Sequence, residues 1–136
     1  MFEVFDHTAD LGLRVRASEL NALFSDAGRA LLSVIVSNPD AIEPRDAVEV
    51  DVAGRNREYL FVDWLGELLF LFESKKFLTS RFEVIVTDAG LRAAIRGEPY
   101  DSARHMLAHE VKAVTYHGLK VEQTESGWLA EVILDI

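Results

Sequence analysis

The sequence contains no cysteine. Disulfides, thiol nucleophiles and cysteine-bearing zinc sites are excluded at once. Proline is scarce, and Pro39, Pro44 and Pro99 each fall in a stretch that reads as a loop. Basic residues are in deficit, 14 against 23 acidic ones, for a net charge of −9. A field of that sign repels phosphate backbones and attracts cations or basic protein surfaces. Tight direct binding of nucleic acid is disfavoured, because that affinity comes largely from Lys and Arg on phosphates. The same charge also serves simply to keep a protein soluble. The opening MFEVFDHTAD has neither a basic segment nor an apolar one of the secretory kind, so a cytoplasmic protein is expected. No GxGxxG follows a strand, and there is no GxxxxGK[ST], no serine in a nucleophile elbow and no interleaving of basic and aromatic residues. Repeats, linkers and low-complexity segments are missing too.

What the chain has is apolar residues, 49% of its 136. That suits a single domain over 1–136 with a sizeable core. The longest apolar stretch is Arg57 to Lys75, REYLFVDWLGELLFLFESK, in which Leu60, Phe61, Val62, Trp64, Leu65, Leu68, Leu69, Phe70, Leu71 and Phe72 occupy almost every direction of a helical wheel. Asp63 and Glu67 leave only a narrow polar stripe. A helix apolar nearly all round is buried on more than one side. It is shorter than the ~20 apolar residues of a membrane span. The expectation is a central helix, 57–73, held between layers of sheet.

Alternation predicts strands at Phe2–Asp6 and Leu11–Arg16, and again at Val48–Val52, Arg81–Thr87 and Leu91–Arg96. A first helix, with Leu20, Leu23, Phe24, Ala27, Leu31 and Val34 at helical spacing, should start at a Ser18 cap and stop before Asn38-Pro39. Gly97–Ser102 reads as a loop. Val111–Tyr116, Leu119–Thr124 and Trp128–Ile136, separated by His117-Gly118 and Glu125-Ser126-Gly127, suggest an antiparallel meander. The fold class is α+β, with two main helices and mainly antiparallel sheets.

Chemistry-bearing residues collect near the two termini. Asp6, His7, Thr8 and Asp10 crowd one short loop, where Asp and Thr also serve as ordinary turn residues. Asp135 interrupts the apolar run WLAEVILDI, and the Ile136 α-carboxylate lies beside it. Should the first and last strands meet, these carboxylates and Asp10 would repel one another unless a cation lay between them. Oxygen ligands without nitrogen or sulfur suit Ca²⁺ or Mg²⁺ better than zinc. Lys112 is the one cation in VKAVTY, either facing solvent or pairing with such a cluster. His105 and His109 have the spacing of a helical zinc pair, but neither a third ligand nor an adjacent Glu accompanies them. Asp63 and Glu67 are a polar stripe or, if buried together, an acid/base pair.

DHTADLGLRVRA, VDWLGELLFLFE, Gly97-Glu98, EVKAVTYHGLKV and the terminal ILDI, in this order and at this length, resemble the archease family from Phe2 to Ile136. The resemblance implies an accessory protein of the RtcB-type RNA ligase that seals tRNA exons. Such a protein promotes guanylylation and turnover of the ligase, can broaden its nucleotide use, and is not itself an enzyme. It implies a divalent metal site, calcium first with magnesium or manganese open, at Asp10, Asp135 and Ile136. Lys112 is implied in partner activation, with Asp6 and His7 in the same matched strings. The implied fold sandwiches helices between sheets. Two other functions stay open. One is a metal-dependent phosphohydrolase using Asp6, His7, Asp10 and Asp135, with His7 as base. The other is a chaperone-like modulator of RNA-processing enzymes, a methyltransferase among them.

Overall fold

The computed structural model describes the whole chain, Met1–Ile136. Its central helix α2 runs over Arg57–Lys75. The Asn56 side chain caps it, its Oδ1 accepting from the Tyr59 N–H at 3.0 Å. It ends where Lys76 takes a left-handed conformation, φ 54°. Leu60, Phe61, Trp64, Leu65 and Leu68 are all but fully buried. The wet stripe is wider than the sequence suggests. Phe70 is 58% exposed and lies on the same side as Asp63, Glu67 and Ser74.

The rest of the order is β1 (Phe2–His7), β2 (Asp10–Ala17), α1 (Leu20–Ile35), a 3-10 turn at Pro39–Ala41, β3 (Asp46–Ala53), β4 (Phe77–Thr87), β5 (Gly90–Pro99), β6 (Ala113–Val114), β7 (Lys120–Thr124) and β8 (Gly127–Asp135). A five-stranded antiparallel sheet holds β1, β2, β8, β6 and β7; a three-stranded one has the order β3-β5-β4. The α+β reading holds. α1 contacts β1, β2 and β8 on one side and β4 on the other, and α2 contacts β3, β4 and β5 as well as β6 and β7. Both helices therefore lie between the sheets, and one core of 33 buried residues runs through all the layers. The Trp64 Nε1–H crosses between the helices to donate to the Phe24 carbonyl at 2.8 Å.

Several local expectations are corrected. Glu19, not Ser18, precedes the first turn of α1, and no side chain caps it. β4 begins at Phe77, four residues before Arg81, with a bulge between Thr79 and Arg81. Gly97-Glu98-Pro99 continue β5 rather than forming a loop. Gly97 permits this, because a Cβ there would lie 1.9 Å from the Leu78 carbonyl oxygen.

The C-terminal strands do not form a meander. β6 and β7 are not partners; they lie end to end along one edge of β8, β7 on Gly127–Glu131 and β6 on Leu134–Asp135. One edge has to serve both. Of Val111–Tyr116 only Ala113–Val114 is strand, with Thr115 still donating its N–H to the Ile133 carbonyl before the chain turns away. The other edge of β8 pairs with β2, not with the first strand, over Leu11–Ala17 against Trp128–Leu134.

Candidate functional site

That pairing of β2 with β8 brings the turn between β1 and β2 beside the end of β8. Leu11 faces Leu134, so one step further along both strands Asp10 comes beside Asp135. On the far side of β2, His7 pairs with Asp10 across a two-residue hairpin turn, Thr8-Ala9. Hairpin turns of this length favour positive φ. Ala9 accordingly sits at φ 67° without being a glycine. On the far side of β8, Ala113 pairs with Asp135, and the Lys112 N–H donates to the Asp135 carbonyl at 2.7 Å. Cross-strand neighbours project from the same face. The row is therefore His7, Asp10, Asp135 and Ala113, with Ile136 and Lys112 one position beyond.

The hairpin is fastened by its second strand. Arg14 donates to Glu131 of β8 at 2.9 Å and to Glu3 of β1 at 3.1 Å, and its guanidinium lies 4.6 Å from the Phe5 ring centroid. The two hydrogen-bonded carboxylates hold the Arg14 pKa above its usual value. The tip of the Phe5 ring lies over Gly12, where a Cβ would meet it at 2.1 Å.

His7 Nδ1 is shut off from solvent without a hydrogen-bond partner and lies 4.0 Å from Asp10 Oδ2, beyond hydrogen-bond reach. His117 packs edge-on against it, ring centroids 6.1 Å apart. His117 enters this neighbourhood only through the loop after β6, and the sequence reading, which placed it in a turn, gave it no part in this site. Its one signal was its place at the end of KAVTYH. Asp6 is exposed, pairs with Leu11 and projects from the opposite face to His7, so it does not join the row. Lys112 is exposed and makes no ion pair within the chain.

No three His, Asp or Glu side chains converge closely enough to hold an ion by themselves. A cation here would draw on the Asp10 and Asp135 carboxylates and on main-chain oxygen of Ile136. That donor set consists of hard oxygens and fits Ca²⁺, Mg²⁺ or Mn²⁺. The enclosed, unpaired His7 Nδ1 lies beside the Asp10 carboxylate of that set.

The second polar cluster is structural. Glu98, 1% exposed, accepts from Arg104 Nη2 at 2.5 Å, from the Glu43 N–H at 2.8 Å and from His105 at 2.8 Å. Burial, the largest influence, would raise its pKa, but the bonds from Arg104, Glu43 and His105 outweigh it and lower the carboxyl from 4.5 to about 2. His105 Nδ1 accepts from the Asp101 N–H at 2.9 Å, so Nε2 carries the proton offered to Glu98. Both nitrogens of His105 are thus engaged, and His109 lies exposed on an irregular segment, not one helical turn away. The zinc pair is not assembled. Asp63 and Glu67 are exposed on α2 and form no buried acid/base pair. No helix is long and apolar enough to cross a membrane.

Comparison with known proteins agrees with this architecture. The archease protein family (MTH1598/TM1083) matches residues 2–136. The protein archease of Methanopyrus kandleri is 41% identical over 139 residues, covering 99% of both chains. That of Pyrococcus abyssi is 36% identical, covering 99% of this chain and 98% of its own. The solution structure of Methanobacterium thermoautotrophicum protein 1598 superposes with a TM-score of 0.85 at 33% identity, over 99% of this chain and 98% of that one. The crystal structure of a Thermotoga maritima archease, described as a possible chaperone, shares the fold at a TM-score of 0.68 and 22% identity, over 100% of this chain and 98% of that one. The chain belongs to the archease family.

Proposed function

We propose that this protein is an accessory factor of an RtcB-type RNA ligase in the cytoplasm, not an enzyme itself. It promotes guanylylation of the ligase and its repeated turnover, and widens the nucleotides the ligase accepts. The observation that carries this reading is the β2–β8 register, which sets Asp10 beside Asp135 with Ile136 next in the chain. A pair of acidic residues where the tip of the β1–β2 hairpin meets the end of β8 forms a docking point rather than a substrate cleft. The larger surface cavities lie on the three-stranded sheet and beside α2. That favours a binding role over the phosphohydrolase reading, which needs a place for its substrate.

Each residue has a task in this account. Asp10, Asp135 and Ile136 hold a divalent cation, which supplies the positive charge that lets the two carboxylates share one tip. Arg14, through Glu131 and Glu3, fixes the hairpin that carries Asp10. Lys112, whose main chain is tied to Asp135, offers an unpaired ammonium to the partner at the edge of the same tip. The net charge of −9 suits a partner with a basic, RNA-binding surface. The test is ligase turnover with limiting ligase, GTP and divalent metal, with and without this protein. Faster repeated turnover is expected, and Lys112→Ala should reduce it. Equal turnover with and without the protein would end the proposal.

A further inference from the structure

The outer face of the three-stranded sheet carries a charge pattern that the fold does not neutralise. Its rows follow from the register. Arg96 of the central strand β5 is flanked by Ala47 and Arg81, Ala94 by Glu49 and Glu83, and Arg92 by Asp51 and Ile85. All these side chains are exposed. Arg92 and Asp51 pair with each other at 3.1 Å. The other four charges have no ion-pair partner in the chain. Arg81 and Arg96 stand directly opposite one another, an arrangement that costs stability when nothing negative lies between. One row further on, Glu49 and Glu83 flank a residue with almost no side chain. Together with Ile85 and Arg92 they wall a cavity of about 550 Å³ over Ala93 and Ala94.

We infer that this face binds a second copy of the same chain, each copy placing its Arg81 and Arg96 against the Glu49 and Glu83 of the other. The pattern is self-complementary. An arginine pair lies one row from a glutamate pair, so a two-fold axis between two such faces sets each pair on its opposite in both directions. The cavity over Ala94 gives an incoming guanidinium room between two carboxylates, and exposed Ile85 adds apolar area beside it. The overall charge points the same way. The chain carries −9, yet this face balances Asp51, Glu49 and Glu83 against Arg81, Arg92 and Arg96. Here two acidic molecules approach without the repulsion they meet elsewhere. That balance also argues against a phosphate backbone as the occupant. Three strands ~4.8 Å apart offer on the order of 500 Å² per copy, short of the ~800 Å² per partner of a stable complex, so the dimer is weak and comes apart on dilution.

The test is sedimentation velocity over a concentration series up to about 1 mM, where even weak association is visible. Wild type should dimerise reversibly, and the dimer should weaken at least tenfold when salt rises from about 0.1 M to 1 M, which cuts the screening length from ~10 Å to ~3 Å. Arg81→Glu/Arg96→Glu and Glu49→Arg/Glu83→Arg should each be monomeric while keeping the wild-type circular dichroism and melting profile. Mixing the two should restore a dimer, since every contact then becomes attractive. A monomeric wild type at all concentrations overturns the proposal. So does a dimer indifferent to both reversals, a mixture of folded variants that stays monomeric, or an RNA probe that displaces the dimer through the same arginines.

Discussion

The Nε2 of His105 lies 2.8 Å from Oε2 of Glu98, inside a network that also takes in Arg104 and the Glu43 main chain. The carboxyl pKa is about 2 in the folded protein against 4.5 unperturbed. A depressed carboxyl contributes stability that is fully present above the unfolded value and is lost as pH falls through the folded one. Wild type should therefore lose stability between pH 4.5 and about 2 in urea titrations. Glu98→Gln should be about 2 kcal/mol less stable at pH 7, because it removes the charge from the buried acceptor shared by Arg104, the Glu43 N–H and His105, and its dependence on pH in that window should be flatter. Equal slopes for the two proteins would show that Glu98 is not the titrating group.

Trp64 ties α2 to α1 through its Nε1–H on the Phe24 carbonyl, in a position with no solvent exposure. Trp64→Phe removes the hydrogen bond and part of the ring. The expected cost is about 2 kcal/mol, half from the bond and half from lost packing, read from the denaturation midpoint at unchanged m-value.

Gly97 allows β4 to approach β5 at the bulge. Gly97→Ala drives a Cβ into the Leu78 carbonyl, a main-chain atom that cannot step aside. A loss of about 2 kcal/mol or more is expected, with amide exchange accelerated in Leu78–Arg81. Unchanged exchange there would mean that the bulge tolerates a side chain.

The Asp10 and Asp135 carboxylates predict linkage to a divalent cation. Calcium at ~100 times its dissociation constant should raise wild-type stability by about 2.7 kcal/mol. Asp10→Ala and Asp135→Ala should each abolish the rise without lowering the calcium-free melting temperature by more than a few degrees. A rise of the same size in both variants would place the ion elsewhere.

Much of this was readable in the sequence, for physical reasons. The all-round apolar face of 57–73 demanded cover on several sides, and two sheets supply it. Val48–Val52 and Leu91–Arg96 alternate because one face of the small sheet is wet. What failed was long-range. Nothing in Val111–Tyr116 tells that β7 shares its edge of β8. Gly97-Glu98 reads as a loop because a buried glutamate makes sense only once Arg104, His105 and the Glu43 amide surround it. The meeting of Asp10 with Asp135 was conceivable from their places at the ends of two strands, but only the register of β2 on β8 puts them side by side. His117 reaches His7 through a loop whose path no local pattern encodes.

The most direct test of the central claim is ligase guanylylation under multiple turnover with wild type, Asp10→Ala and a chain lacking Asp135 and Ile136. The account predicts stimulation by wild type that both variants lose, while all three stay folded. Stimulation that survives both changes would contradict it, since activation would then come from some surface other than the hairpin tip beside the end of β8.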